Sequence, residues 1–388
     1  MTALLVPVFE AGVAPAEGLQ QREGVPVLAT SIRMAAPDLV SLQRAGEHHL
    51  GLSLTKACPL SCGHCSAATV PAAMHPFVSI PSADIARYCA EMPELARRGL
   101  TSISLTGGEP VLALQHVAAL SRAARDAGIR TTLVTGLYWA AGAALRRKVI
   151  EALPCIDSWN ISWDRFHAAE VKLANVAIAV REITATGAAL TVRVAIDDPA
   201  TPEDEAMYDA LVEALPAVEI VVQSVRPVGR AADREAPASG DRAAPAWPCL
   251  STGPLVMSDG SARPCCSSMM DEPHHPFDAS SAAQGLVALR EAWLDDPLLL
   301  MLRAVGFAPV LEILSDIAPD HPLTQGTTAH PCDVCSTLFG DRALAGKIKA
   351  AVAAEPVAGL ARAAARDIFA SATTAGLAVI REQEQADA

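Results

Sequence analysis

From residue 50 onward the chain alternates between short apolar runs and longer segments whose apolar positions recur at helical spacing. The runs fall at 50–54, 102–105, 131–134, 158–162, 190–196 and 218–222, each of strand length. Between the first two, Ile85, Tyr88, Cys89, Met92 and Leu95 share one helical face. The stretch 169–186 has the same period and stops at Gly187, as a helix ending in a left-handed cap does. Strands separated by helices in this way pair in parallel through helical crossovers. The expected fold class is α/β, a partial (β/α)6 TIM-like barrel over residues 49–226. Periodicity leaves a doubly wound sheet open as the alternative.

Residues 1–48 form an N-terminal extension whose apolar runs 4–9 and 25–29 suit a hairpin. At 227–248 the pattern breaks into Pro, Ala, Gly and charge, which reads as a linker. Residues 249–341 are rich in cysteine and proline and show little period. The Ala-rich tail 342–388 is expected to be helical and to fray at 382–388.

The formal charge of −13 and the lack of a basic stripe argue against nucleic acid or an anionic membrane as the main partner. No apolar run reaches transmembrane length. The segment 1–12 contains Glu10 and lacks a basic region followed by a long apolar core, so the expectation is a soluble, cytoplasmic protein.

The chemistry lies in the spacing of the ten cysteines. Cys89 and Cys155 stand alone in apolar segments, as small buried hydrophobes do. Cys58, Cys62 and Cys65 follow the first strand at spacing C-x3-C-x2-C, with Pro59 and Gly63 suiting a loop. Thiolates are the natural ligands of an iron–sulfur cube, and three of them leave one iron open to a substrate. A zinc site borrowing His64 is the alternative on spacing alone. The second strand ends in Thr106-Gly107-Gly108-Glu109-Pro110. Its glycines permit close backbone approach to a ligand, and Glu109 can accept hydrogen bonds from an ammonium group. Thr135 ends the third strand, and Asn160 and Ser162 end the fourth. Ser162-Trp-Asp-Arg-Phe-His167 follows at the expected barrel mouth, where Asp164, Arg165 and His167 either meet substrate or form a turn capped by Asp164.

Together these segments resemble the radical S-adenosylmethionine (SAM) superfamily, whose C-x3-C-x-Φ-C signature lies on the loop after strand one. His64 occupies Φ, where Tyr or Phe is commoner. The resemblance spans roughly residues 50–225 and implies a [4Fe–4S] cluster on Cys58, Cys62 and Cys65. It also implies SAM chelated to the open iron and cleaved to a 5′-deoxyadenosyl radical. By the same resemblance Thr106 to Pro110 cradle the methionyl amine, and His64, Thr135, Asn160 and Ser162 contact other parts of SAM. Asp164, Arg165 and His167 are then candidate catalytic residues.

Downstream, Cys249, the pair Cys265–Cys266 and Cys332-x2-Cys335 resemble the family's Twitch/SPASM modules, and Arg226 to Arg230 resembles the entry to one. The implied result is a small C-terminal domain with one auxiliary [4Fe–4S] cluster, one thiol of the pair being left over. A zinc ribbon is the alternative. Ser258-Asp-Gly260 reads as a tight turn between short strands, and His274, His275 and His330 as surface groups.

The resemblance implies hydrogen abstraction from a substrate, first of all an oxidative crosslink or related change in a ribosomally made peptide. Oxidation of a small molecule such as an amino sugar, and peptide epimerisation by the spare thiol, are the alternatives within the family. A non-catalytic electron carrier explains the cysteines but not the Gly-Gly-Glu-Pro segment. A flavodoxin- or ferredoxin-type electron donor is implied. Residues 1–48 are short for a leader-binding domain, so a separate leader-peptide-binding protein is an expected partner.

Overall fold

The computed structural model describes residues 45–234, 249, 253–265, 277, 283–325 and 331–369. The expected hairpin at 4–9 and 25–29, most of the linker, Cys266, His274, His275, His330 and the end of the tail lie outside the described residues. The chain divides into two units, 1–33, 52–90 and 103–238 in the first, 34–51, 91–102 and 239–388 in the second.

All six apolar runs are strands: β1 (His49–Ser53), β4 (Ser102–Thr106), β5 (Arg130–Thr135), β6 (Ser158–Ser162), β7 (Ala189–Ile196) and β8 (Glu219–Ser224). Two-residue strands β2 (Ala57–Cys58) and β3 (Val70–Pro71) pair with each other in parallel on the loop after β1. Across these six strands the pairing order is β1-β4-β5-β6-β7-β8, and β5 to β8 are parallel. The order follows the chain, without the reversal that a doubly wound sheet requires. The fold here is a mostly parallel α/β sheet with helical crossovers.

Alternate positions are buried on β4 (Ile103 and Leu105), β5 (Leu133) and β6 (Trp159 and Ile161), and β1 is buried throughout. Helix Leu114–Asp126, packed against β5, buries Val117 and Leu120, and helix Leu173–Thr184, packed against β7, buries Val176, Val180 and Ile183. The last helix starts at Leu173 rather than 169, because Arg165–Ala168 forms a separate turn capped by Asp164. Cys155 is buried and Cys89 partly so, as their apolar settings suggest.

In the second unit β9 (Leu255–Val256) and β10 (Ala262–Arg263) form an antiparallel hairpin. Its turn is closed by Gly260 N–H to the Met257 carbonyl (3.0 Å), with Gly260 at φ +82°, as Ser258-Asp-Gly260 suggests. The residues after it depart from the sequence reading. The stretch with little visible period contains helices Leu286–Asp295, Pro297–Ala304, Ala308–Ile317 and Pro331–Gly340, followed by Arg342–Ala353. The prolines begin helices instead of breaking them. Pro297 and Pro309 occupy first turns, where a proline's missing N–H costs nothing, and Asp296 caps the Leu298 and Leu299 amides. Two buried arginines brace this unit. Arg290 donates to the carbonyls of Glu47 and Arg98, and Arg303 pairs with Glu47 while stacking on Trp293 at 4.2 Å. Among the described residues no helix is long and apolar enough to cross a membrane.

His49, buried on β1 with Nδ1 2.9 Å from Ser102 Oγ, gives a pH prediction for this unit. Burial pushes its pKa down from 6.5 to about 4. Below 6.5 the unfolded chain takes up a proton that the folded site refuses. The stability is therefore full above that pH and falls as pH drops towards 4, by about 3 kcal/mol at most. His49→Gln should show a smaller loss of urea midpoint than wild type between about pH 7.5 and pH 4.5. An equal loss in both proteins would show that His49 does not titrate this way.

Candidate active site

The loop bearing Cys58, Cys62 and Cys65 has little regular structure of its own, so its position depends on what it is tied to. Lys56 N–H donates to the Val78 carbonyl (2.9 Å) and Val70 N–H to the Lys56 carbonyl (3.0 Å). From the end of β4, Gly108 N–H reaches the Thr55 carbonyl (2.6 Å) and Glu109 N–H the Ala57 carbonyl (2.8 Å). A Cβ on Gly107 would sit 2.5 Å from the Thr55 carbonyl oxygen, and one on Gly108 2.2 Å from that of Ala57. The two glycines thus let β4 press against the backbone of the cysteine loop. This is a different use from the direct approach to a ligand that the sequence suggests.

Glu109 is also turned inward. It is fully buried and caps the turn Pro110–Ala113 through the Val111 N–H (3.2 Å). Its carboxylate also accepts from Thr135 Oγ1 (3.0 Å to each oxygen) and Gly136 N–H (3.0 Å). Burial pushes its pKa up to about 7 despite these donors. Thr135 Oγ1 in turn accepts from Leu137 N–H and Trp139 Nε1 (3.1 Å each). Leu137 is left-handed at φ +57°, a strained conformation for a branched residue, at the strand end beside the loop. Thr106 serves through its carbonyl, which accepts from Leu54 N–H (2.8 Å).

Beyond β6 the chain turns at Asp164, whose Oδ1 accepts from the Phe166 and His167 amides (2.9 and 3.2 Å) and lies 2.8 Å from His167 Nδ1. Its Oδ2 accepts from Ala195 N–H (3.2 Å). Cys62 is an electrostatic neighbour of His167 as well. Burial opposes charge on His167, but these two partners outweigh it and lift the pKa to about 10. His64 Nε2 stands 3.7 Å from Asp164 Oδ2, its ring packed on Phe166 (4.5 Å) and against the edge of His167 (5.2 Å). Burial, with Arg234 and Arg165 nearby, lowers the His64 pKa to about 4 in spite of Asp164, so the ring is neutral.

Among the described residues, His64, Asp164 and His167 are the group of ionisable side chains whose ligand atoms converge within 4.8 Å. Asp164 already accepts four hydrogen bonds at this turn, which leaves it poorly suited to a metal ion. The thiols suit an iron cluster better. Cys58 is pushed up to about 12 by burial, with Glu109, Cys62 and Cys65 adding, so the three thiols are electrostatic neighbours. Such a thiol is held protonated until a cation takes the proton's place.

Of the other expected residues, Arg165 and Asn160 are engaged with neighbouring side chains. Arg165 turns away to pair with Asp204 (2.7 Å) and Asp197 and stacks on Phe166 at 4.1 Å. Asn160 Oδ1 accepts from Arg193 Nε (2.9 Å), and Ser162 is half-buried at the end of β6. In the second unit Cys265 and Cys335 are buried in one apolar cluster with Met301, Leu302, Phe307 and Leu338, and Cys249 packs against it. Cys332 lies one turn before Cys335 on the same helix.

Sequence reasoning missed Arg230, Glu170 and Tyr138. Arg230 clamps the cysteine loop: Nη1 donates to the Cys62 carbonyl (3.0 Å), Nη2 to Thr69 (2.7 Å to its carbonyl), and its N–H to the Cys65 carbonyl (2.9 Å). Glu170 accepts from Ser61 N–H (2.7 Å). Tyr138 is pushed up to about 12 by burial, with Glu109 and Cys58 adding. Only Arg230 carried a signal, the Pro-Val-Gly-Arg run, and that run suggested a module entry. Arg230→Ala should cut the iron retained through gel filtration by about tenfold, since hydrogen bonds from a charged group contribute roughly 1.5–3 kcal/mol each. Arg230→Lys should rescue little, because an ammonium cannot reproduce the guanidinium fork. Wild-type retention in the alanine variant would show that the clamp is dispensable.

No family model and no curated protein matches the sequence. Solved structures similar to it include native anSMEcpe with bound AdoMet and the Cp18Cys peptide, at 14% identity over 46% of this chain and 50% of that one, TM-score 0.34. This chain thus spans half the length of that protein. SuiB of Streptococcus suis is similar at 14% identity over 66% of this chain and 67% of its own, TM-score 0.37. A deoxyribose phosphate aldolase from Aeropyrum pernix is similar at 15% identity over 51% and 79%, TM-score 0.29.

Proposed function

We propose that the chain is a radical SAM enzyme built on a partial (β/α)6 barrel. In this reading Cys58, Cys62 and Cys65 hold a [4Fe–4S] cluster. Cys249, Cys332, Cys335 and one of Cys265 and Cys266 hold an auxiliary one. The observation that carries the reading is a single loop with three neighbouring thiols, pinned where the ends of β4, β5 and β6 deliver Glu109, Thr135 and Asp164. When bound, the cluster and SAM supply one-electron cleavage of a carbon–sulfur bond. The chain's own residues hold the thiols in place, keep Glu109 and Thr135 tied across the strand ends, and exclude water with Leu60, Trp139 and Trp163. Oxidative modification of a ribosomally made peptide is the substrate class the resemblance favours.

Anaerobically reconstituted protein should carry about eight irons, four per cubane, and release 5′-deoxyadenosine from SAM with dithionite. The Cys332→Ala, Cys335→Ala double variant should keep about four irons and still release it. Zinc in place of iron, or intact SAM, would overturn the reading. Co-expression with short precursor peptides should then give a peptide lighter by a pair of hydrogens.

Asp164 holds the His167 ring, and Cys62 is that ring's electrostatic neighbour, so nucleophilic thiol chemistry by a thiol–imidazole–carboxylate set is the second reading. It expects no iron, and selective alkylation of Cys62 by iodoacetamide.

A further inference from the structure

We infer that the exposed apolar turn Ala72–Phe77, flanked by Lys56 and Arg230, is the docking face for an acidic one-electron carrier protein that reduces the site of Cys58, Cys62 and Cys65. The inference rests on the function proposed above and names the partner of that site. Each cleavage of SAM into methionine and a 5′-deoxyadenosyl radical consumes one electron, and oxidation of the carrier by one electron supplies it.

The turn is held from within and apolar on the outside. Ile80 N–H donates to the Leu54 carbonyl and Lys56 N–H to the Val78 carbonyl (2.9 Å each). Ser79 Oγ donates to the His75 carbonyl (2.6 Å) and lies 2.8 Å from His75 Nδ1. None of the turn's six residues is buried. Phe77 is 79% exposed and Met74 43%, and Pro71, Ala73, Pro76 and Pro81 are exposed around them. A fixed backbone bearing bare apolar side chains suits the core of an interface, since little freedom is lost in ordering it. The turn packs against β2, which ends at Cys58, so a partner seated on it lies one strand away from the first thiol.

Charge decides the kind of partner. The chain carries 43 Asp and Glu against 30 Lys and Arg, yet residues 52–83 contain none of the 43. Lys56 is exposed in this stretch. Arg230 reaches Thr69 through its carbonyl and hydroxyl, with no carboxylate pairing it among the described residues. The acids nearby are occupied. Glu109, next to the turn Pro110–Ala113 that packs here, is fully buried, and Asp84 pairs with Arg87 (2.8 Å). Glu170 accepts from Ser61 N–H (2.7 Å). An acidic protein is repelled by the rest of this surface and least here, which fixes where it docks. Redox encounters are small, about 1,200 Å² or less in total, a scale that suits a short turn and its rim.

The test compares two reductants on the reconstituted full chain, with iron measured on the same samples. Dithionite needs no docking face; an acidic flavodoxin, kept reduced by NADPH and its reductase, does. Phe77→Asp should lower 5′-deoxyadenosine release at limiting flavodoxin by about tenfold and leave the dithionite-driven rate unchanged. Phe77→Lys should lose less than Phe77→Asp, and the gap should narrow as salt is raised. Unchanged flavodoxin-driven rates in both variants overturn the inference, as do equal losses in the two at every salt. An equal fall with both reductants overturns it too, as does a wild type that dithionite reduces and flavodoxin does not. If Phe77→Asp splits a wild-type dimer in light scattering, the face belongs to a second copy and the inference falls. If it lowers peptide product per deoxyadenosine under dithionite, the face belongs to the substrate, with the same result. Wild-type protein that holds no iron, or releases no deoxyadenosine with dithionite, removes the function and the inference together.

Discussion

Replacing Cys58, Cys62 or Cys65 by alanine is expected to reduce 5′-deoxyadenosine formation to background and to remove the iron of the first site. Three thiols on one short loop are the smallest set that can hold a cube with one iron left open, so each loss should be as severe as the others. That equality is diagnostic. In a thiol relay only Cys62 has the imidazole partner, so Cys58→Ala and Cys65→Ala would keep activity. In a zinc site borrowing His64, His64→Ala would be as damaging as any cysteine change. Iron content, zinc content and deoxyadenosine measured on the same four variants separate the three cases.

Gly108→Ala should be nearly as damaging, although it touches no thiol. The added carbon would lie 2.2 Å from the Ala57 carbonyl oxygen and 2.6 Å from the carbonyl carbon, both backbone atoms that cannot rotate aside. Relief requires β4 and the cysteine loop to separate, which breaks the hydrogen bonds from Gly108 and Glu109 to Thr55 and Ala57. Iron at the first site and deoxyadenosine yield should fall by about tenfold or more, since two lost backbone hydrogen bonds alone correspond to roughly 1–3 kcal/mol. The control is Gly63→Ala, between the second and third cysteines, where a Cβ would meet nothing within 4 Å. It should behave as wild type. Equal retention of iron in both variants would show that the loop does not depend on its contact with β4.

These two glycines also show what could be read before the structure. The sequence shows that Gly108 is special but not what it faces: a bound ligand and a neighbouring peptide make the same demand for a missing side chain. Glu109 poses the same difficulty. A carboxylate able to receive an ammonium group equally well receives Thr135 and Gly136, and only the folded strand ends decide which. Most of the strands were legible because they bury alternate residues or a whole run, a local property of the chain, whereas β8 buries only Ser224 and was legible from its apolar run alone. The helices between 286 and 340 were not, because prolines that break a helix in its interior begin one in its first turn. Asp164 lay between two readings, substrate group or turn cap. It is a cap, yet a buried one that also holds His167 Nδ1 at 2.8 Å.

Arg230 reaches far along the chain, its guanidinium meeting the Cys62 carbonyl 168 residues back. During synthesis the cysteines emerge from the ribosome long before this partner does. A nascent chain ending short of residue 230 has the thiols but lacks the clamp across Cys62, Cys65 and Thr69. The clamp therefore forms late in translation, after most of the first unit has been made.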